Sequence, residues 1–467
     1  MSAVLWTAEA AARATGGTAT GAWSASGVSI DSRTLAPGDL FVALRGPRHD
    51  GHAFVAEALA KGAAAAVVDH RPEGVAEDAP LLLVPDTLSG LVALAKAARA
   101  RTTARVLALT GSVGKTGTKE ALRHVLARQG GVHASAKSHN NHWGVPLTLS
   151  RLPPAVPFAV IEIGMNRAGE IRALAPLARP QVALITAIAP AHIGNFPDGI
   201  AGIARAKAEI FEGLEPGGTA ILPADSEHLP VLRERARAAG AGRIRTFGTS
   251  PAADWRLLAA ELGPEGSVIE VRSETGRLRV RLGAPGRHWA LNATAVLAAV
   301  EALGADVERA ARDLADFAAP SGRGARREIP VPGGTVTLLD ESYNANPASM
   351  AAAIALLGLQ PGRKIAVLGD MLELGADGPE MHRALRGPLE EARVARVFTC
   401  GSLMEALAEV LPESMRGGHA PDADALAPLV ARALEPGDVV LVKGSLGSRM
   451  GRIVEALAGR GGESACS

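Results

Sequence analysis

Cysteine is nearly absent: Cys400 and Cys466 are the only two in 467 residues. No disulfide framework can be drawn from them, and a reducing compartment is expected. An excess of charge of one sign is missing too. A net charge of +1 gives no electrostatic reason to expect nucleic acid or a membrane surface as partner. No stretch is long and apolar enough to span a bilayer. The start, MSAVLWTAEAAARATGG, has no basic segment and no long apolar core, and Glu9 interrupts it. It reads as a short helix capped by Thr7, not a signal peptide. A cytosolic monomer is expected. No repeat of solenoid period is present.

What is present is apolar residue, 47% of the chain, which predicts a packed globular protein of about three domains at roughly 100–200 residues each. Abundant alanine blurs helix and strand, so Gly, Pro and β-branched residues carry the reading. GVSIDSR and DLFVALRG read as strands, HAFVAEALAKG as a helix closed by Gly62, and AAAAVVD and LLLVPD as buried strands. A boundary falls near Pro85, with Thr87 capping the next helix, LSGLVALAKAARA. Strands and helices then alternate: RVLALTG, PFAVIEIGMN and QVALITAIAP against TGTKEALRHVLARQGG, GEIRALAPLA and GIAGIARAKAEIFEGL. Alternation of this kind predicts a parallel sheet covered on both faces. SVIEVRSETGRLRVRL reads as a hairpin and LNATAVLAAVEALG as a helix, and AAPSGRG suits a linker and hinge. Beyond it, TVTLLD, RKIAVLGD, ARVFTC and DVVLVKG predict a second, smaller doubly wound domain. The expected fold is α/β in three domains, 1–85, 86–319 and 320–467.

ALTGSVGKTGTKE, residues 108–120, resembles a phosphate loop with Leu109 where the common pattern opens with Gly. It follows a buried strand and opens a helix, so backbone N–H groups and the helix N-terminus offer positive potential to an anion. Thr110 and Gly111 start the shortened turn; Lys115 can reach terminal phosphates and the Thr116 hydroxyl can hold Mg²⁺. Glu162 is the only charge in FAVIEIGM, near the carboxyl end of its strand, where ligands of open α/β sheets collect. A buried carboxylate needs a partner, and Mg²⁺ would supply one; a local pairing is the alternative. His192 lies just past the next strand, available to a metal or phosphate. Lys207 falls within the apolar stripe Ile200, Ile203, Ile210, Phe211 and Leu214, while Arg205, Glu209 and Glu212 point elsewhere. Either it snorkels or it aims into a site, where desolvation favours the neutral amine; periodicity supports only the inward aim.

Together with IDSRTLAPGDLFVALRGPRHDGHAF, NNHWGVPLTL, AHIGNF, HWALNATA, DESYNANPASMAAAI, LGDMLELG and VKGSLGSRM, these residues resemble the Mur ligase family of ATP-dependent amide-forming enzymes. ESYNANP and LGDMLELG are most similar to its dipeptide-adding branch. The resemblance implies a small UDP-binding domain, a central P-loop-type ATPase domain and a C-terminal Rossmann-like domain. It implies UDP-N-acetylmuramoyl-tripeptide and D-alanyl-D-alanine as substrates, with ATP and two Mg²⁺ ions. Ser32, Arg33, Arg45, Asp50 and His52 match the uridine-nucleotide region, and Asn140 and Asn141 join the substrate set. Thr110, Gly111, Ser112, Val113, Gly114, Lys115, Thr116 and Gly117 match the ATP loop, with Asn292 at the adenine and Arg323 and Asp340 reaching ATP from the third domain. Thr116, Glu162 and His192 match metal-binding positions, and Lys207 the lysine carbamylated in relatives. Tyr343, the chain's only tyrosine, lies with Asn344 and Asn346 where the dipeptide is held. Gly194, Pro197 and Asp198 depart from the family pattern, as does Glu341 in place of a common Asp. A Mur-type ligase adding one amino acid, or a P-loop ATPase acting as a regulator, are the rival readings.

Overall fold

The computed structural model describes residues 4–136 and 138–463; Cys466 lies outside them. Thr7 caps the first helix, Ala8–Thr15, by accepting from the Ala10 N–H. The first sheet runs Thr18–Ala19, Leu81–Leu83, Ala65–Val68, Asp39–Val42, Gly27–Ser29, parallel except at its first pair. Ala65–Val68 is an unbroken buried apolar run, and Asp39–Val42 is one after its half-buried first residue, as a covered parallel sheet requires.

Asp86, not the expected Thr87, caps the helix Thr87–Arg101: its carboxylate accepts from the Ser89 N–H at 2.7 Å, and Thr87 is the buried first helical residue. The aspartate wins because a carboxylate at a helix N-terminus also gains from the helix dipole. Leu91, Leu94 and Ala98 of this helix pack into the first core, whereas Ala95 packs into the next. It therefore ties the two lobes together.

The central sheet has nine strands, and its order explains where a ligand can go. Arg105–Thr110 stands between Phe158–Glu162 on one side and Val182–Ile185 on the other. The chain leaves Arg105–Thr110 toward Val132–Ala134 and Phe158–Glu162, then crosses to the opposite side for Val182–Ile185, Thr219–Pro223 and Arg243–Gly248. That reversal opens a crevice at the carboxyl end of Arg105–Thr110. The hairpin Ser267–Ser273/Gly276–Leu282 forms as expected and extends this same sheet through Trp255–Leu262. The long helix expected over 199–214 is an α-helix, Gly199–Ala208, followed by a 3-10 segment, Glu209–Gly213.

The third sheet is ordered Ala325–Val331, Gly334–Glu341, Val439–Lys443, Lys364–Gly369, Arg396–Cys400, Arg416–Ala420, and only its first pair is antiparallel. Among the described residues no helix is long and apolar enough to cross a membrane.

Candidate active site

The crevice holds the phosphate loop. Helix Lys115–Ala127 begins after Gly114, which is left-handed at φ 83°. A Cβ at Gly114 would stand 2.8 Å from Asn292 Oδ1, so the loop and Asn292 are in direct contact. Trp289 packs its ring against Gly117, 2.8 Å from where a Cβ would be. The loop after Val182–Ile185 grips the turn from the other side. The Ser112 N–H donates to Ala187 O and the Ser112 hydroxyl to Ala189 O, both at 2.8 Å, and the Thr186 hydroxyl donates to Val113 O at 2.6 Å. At Gly111, φ is 155° and a Cβ would fall 1.9 Å from Thr186 Oγ1. We expect Gly111→Ala to destabilise the protein by roughly 1–3 kcal/mol through this overlap. A thermal melt reads it; an unchanged Tm would mean that the loop widens freely. Lys115 donates from Nζ to Gly111 O at 2.7 Å, spanning the turn. Burial draws its pKa below the usual lysine range, Arg323 adds to that, and Glu162 opposes it.

Glu162 is completely buried at the end of the neighbouring strand. Protein groups already partner it: Thr116 Oγ1 lies 3.1 and 3.0 Å from its two oxygens, Asn140 Nδ2 donates at 2.8 Å, and Lys119 Nζ is 3.8 Å away. Lys119 in turn donates to Ser135 O at 2.8 Å and pairs with Glu120 at 2.9 Å. A carboxylate and a hydroxyl fixed together at the mouth of a phosphate loop are hard oxygen donors of the kind Mg²⁺ takes. These two residues could hold it.

His192 sits in a left-handed backbone conformation, φ 57°, on the same rim. Its Nδ1 contacts the Glu373 carboxylate of the third domain, and the Gly194 N–H donates to Glu373 O at 3.4 Å. Arg323 makes a second bridge, donating to Ser138 Oγ at 3.2 Å while its guanidinium stacks 4.4 Å over the Tyr343 ring. The two lobes thus enclose a cavity of about 390 Å³. From the loop side Ser112, Val113, Gly114, Lys115, Gly117, Asn140, Glu162, His192 and Asn292 line it. From the third domain come Arg323, Tyr343, Asn344 and Asn346.

Lys207 is buried, 2% exposed, with the apolar stripe around it. Among the described residues its ammonium has no hydrogen-bond or ion-pair partner. Its pKa is driven far below the usual lysine value by burial and then by the positive charge of Lys115. The inward aim read from periodicity holds. Glu209 points elsewhere, as expected, though not into solvent: it is buried and accepts from the Gly169 and Arg172 N–H groups at 2.9–3.1 Å, satisfying the N-terminus of helix Glu170–Ala178.

Several expected site residues face elsewhere. The Asp340 carboxylate accepts from Gly322 N–H, Ser321 Oγ and both Ser342 donors at 2.7–3.2 Å, so it clamps the interdomain linker. Asn141 Oδ1 accepts from the Trp143 and Gly144 N–H groups at the start of helix Gly144–Ser150. Asn346 lines the cavity but also makes a capping box with Ser349. The uridine-region residues lie by the first sheet in two groups, and none of them lines the cavity. Arg33 is held by Asp31, whose carboxyl its guanidinium pulls down to about 2. Ser32 is buried there, and its carbonyl accepts from Lys61 Nζ. Arg45 spans Asp50 and Asp69 at 3.2 and 3.1 Å. The Asp69 N–H donates to His52 Nε2, so the His52 Nδ1–H donates to Asp50, at 2.6 Å.

Lys443 and His288 line the cavity without having been read from the sequence. Lys443 Nζ donates to Asn344 O at 2.8 Å and lies 3.4 Å from Glu341; burial lowers its pKa and Glu341 pulls the other way. It is the single charge ending the apolar run VVLVK, the same signal that marked Glu162. His288 lies one turn before Asn292 on helix Arg287–Ala302, and burial pushes its pKa below the usual histidine value.

Three family descriptions match the chain: "Mur ligase family, catalytic domain" over residues 24–99, "Mur ligase middle domain" over 109–300, and "Mur ligase, glutamate ligase domain" over 326–446. The UDP-N-acetylmuramoyl-tripeptide–D-alanyl-D-alanine ligase of Escherichia coli (strain K12) is 37% identical over 437 residues, 93% of this chain and 94% of that one. A solved UDP-N-acetylmuramoylalanyl-D-glutamyl-2,6-diaminopimelate–D-alanyl-D-alanyl ligase from Acinetobacter baumannii superposes with a TM-score of 0.82 at 32% identity, covering 97% and 98% of the two chains. The MurF ligase of Thermotoga maritima, solved in complex with ADP, gives 0.77 at 28% identity over 94% and 98%. Likeness of this degree, running through all three lobes and nearly end to end in both partners, makes the chain a member of the Mur ligase family.

Proposed function

We propose that the chain joins D-alanyl-D-alanine to UDP-N-acetylmuramoyl-tripeptide in an ATP-driven reaction that passes through an acyl phosphate. The observation that carries this reading is the single cavity in which the phosphate loop and Glu162 face Tyr343, Asn344 and Asn346 of the third domain. The fold is shared with Mur ligases that add one amino acid, so the dipeptide rests on the relatives' names and on ESYNANP and LGDMLELG. A regulator that merely hydrolysed ATP would have no use for the second face of the cavity.

A carboxylate is a poor electrophile because an oxide-like group must leave. Transfer of the γ-phosphoryl group to the acceptor's terminal carboxylate creates a good leaving group. Two anions must first approach, and Lys115 with the helix N-terminus offsets their repulsion. Thr116 and Glu162 would hold Mg²⁺, with His192 beside a second ion; bound there, the metal neutralises phosphate charge. Burial, and then the charge of Lys115, favour the neutral amine at Lys207, and that form would add to CO₂: its nitrogen bonds to carbon and one proton leaves to solvent, turning a would-be cation into an anionic oxygen ligand. Asn292 and the loop N–H groups position the nucleotide. Arg323 approaches the phosphates from the third domain, while Asp340 sets the linker that carries it. Ser32, Arg33, Arg45, Asp50 and His52 would take the uridine end. The dipeptide amine then attacks the acyl carbon, forming the amide and expelling phosphate. Water competes for the same carbon, and the His192–Glu373 and Arg323–Ser138 bridges keep the lobes closed over it.

Mass spectrometry of the products from ATP, UDP-N-acetylmuramoyl-tripeptide and D-alanyl-D-alanine tests this. The expected result is one ADP and one dipeptide-extended nucleotide per turnover. ADP release that ignores both substrates would favour the ATPase reading.

A further inference from the structure

Beside the main cavity a polar groove of about 470 Å³ opens between the loop at 166–170, the His192 loop at 194–195 and the third-domain loop at 373–375. Asn166 lines both spaces, so the groove continues the cavity. Its charged residues are Arg167, Glu170 and Glu373. Glu373 is engaged with His192. Glu170 accepts from the Asn166 N–H at 2.7 Å with one oxygen, and among the described residues its other oxygen has no hydrogen bond or ion pair. Arg167 is exposed and, among the described residues, has neither a hydrogen bond nor an ion pair. That sets it apart from its neighbours: Arg172 is tied to Glu212, Arg179 to Glu215 and Arg205 to Asp198.

On the proposed function, the carboxylate that is activated belongs to the third residue of the acceptor peptide. That residue is therefore nearest the phosphate loop, and its side chain must run out through a space adjoining the cavity. Two side chains are at issue. Diaminopimelate ends in an ammonium and a carboxylate; lysine ends in an ammonium alone. A free guanidinium next to a half-free carboxylate complements the first. It would repel the second and be left without a partner.

We propose that this groove selects a diaminopimelate-containing acceptor, with Arg167 pairing to the distal carboxylate and Glu170 to the distal ammonium. The inference rests on the ligase reading and adds the identity of the acceptor's third residue. Arg167 is a specificity residue and has no part in the chemistry.

The test is steady-state kinetics with the two UDP-N-acetylmuramoyl-tripeptides, one ending in diaminopimelate and one in lysine. The unaltered protein should prefer the first in kcat/KM. Arg167→Met should raise KM for the diaminopimelate substrate about tenfold, leave kcat and KM for D-alanyl-D-alanine unchanged, and lower KM for the lysine substrate as the repulsion is relieved. Arg167→Glu should move the preference toward lysine. Because the side chain is exposed and unbonded, both variants should melt with the parent. Equal effects on the two tripeptides, or no effect on either, would overturn the assignment while leaving the ligase reading standing. No product from either tripeptide with the unaltered protein would overturn the ligase reading itself, and the assignment with it.

Discussion

Lys115→Met should lower ADP formation by about 10²–10³-fold, the usual effect of removing one preorganised charge from a developing anion. Methionine keeps the length and the apolar stem, so what is lost is the ammonium. In the structure that ammonium closes the phosphate loop on Gly111 O at 2.7 Å and stands within reach of the charges of Glu162 and Arg323. Burial already disfavours its charge, so its removal should not unfold the protein. The loop keeps its other clamps from Thr186, Ala187 and Ala189. Melting should therefore change little while ADP and amide product fall together. If the variant still made ADP at the parental rate, the turn at 111–114 would not be where the γ-phosphoryl group is held.

Why that turn could be found from sequence, and other parts of the site could not, follows from what each residue must satisfy. The phosphate loop announces itself because strand, glycine turn and helix start are all local. Glu162 and Lys207 were visible because each is a charge in an apolar pattern, and burial of a charge demands a reason. Asp340 carries the same signal, yet its reason is different: four donors from the linker and Ser342 absorb it. A sequence shows that a charge is buried and not what satisfies it. The backbone roles of Asn141 and Asn346 were hidden for a related reason, since an asparagine beside a helix start serves the backbone as readily as a ligand. Strands Thr219–Pro223, Arg243–Gly248 and Trp255–Leu262 escaped notice because alanine and arginine dilute their β-branched residues. The His192–Glu373 bridge joins groups 181 residues apart, and no local pattern records a contact between two lobes.

Lys207→Met should abolish most amide formation, by about 10²–10³-fold, yet leave a protein at least as stable as the parent near neutral pH. The second half follows from linkage. Burial and Lys115 hold the folded pKa of Lys207 far below its value in the open chain. Between the two pKa values the unfolded chain binds a proton that the folded one refuses, so this group opposes folding there, and the opposition fades as pH rises toward the ordinary lysine value. Methionine removes that cost and fills the same apolar stripe between Ile203 and Ile210. A lysine kept in so unfavourable a place needs a task, and a carbamate would supply one that accounts for both its burial and the absence of a partner among the described residues. The parent stripped of CO₂ should accordingly lose activity and regain it with bicarbonate, whereas Lys207→Met should not respond. Lys115→Met offers a cross-check, because losing its positive charge lets Lys207 keep a proton more readily and so raises the bicarbonate needed. Near-parental turnover by Lys207→Met, or a parent indifferent to bicarbonate, would remove the carbamate and leave the buried lysine without a chemical role.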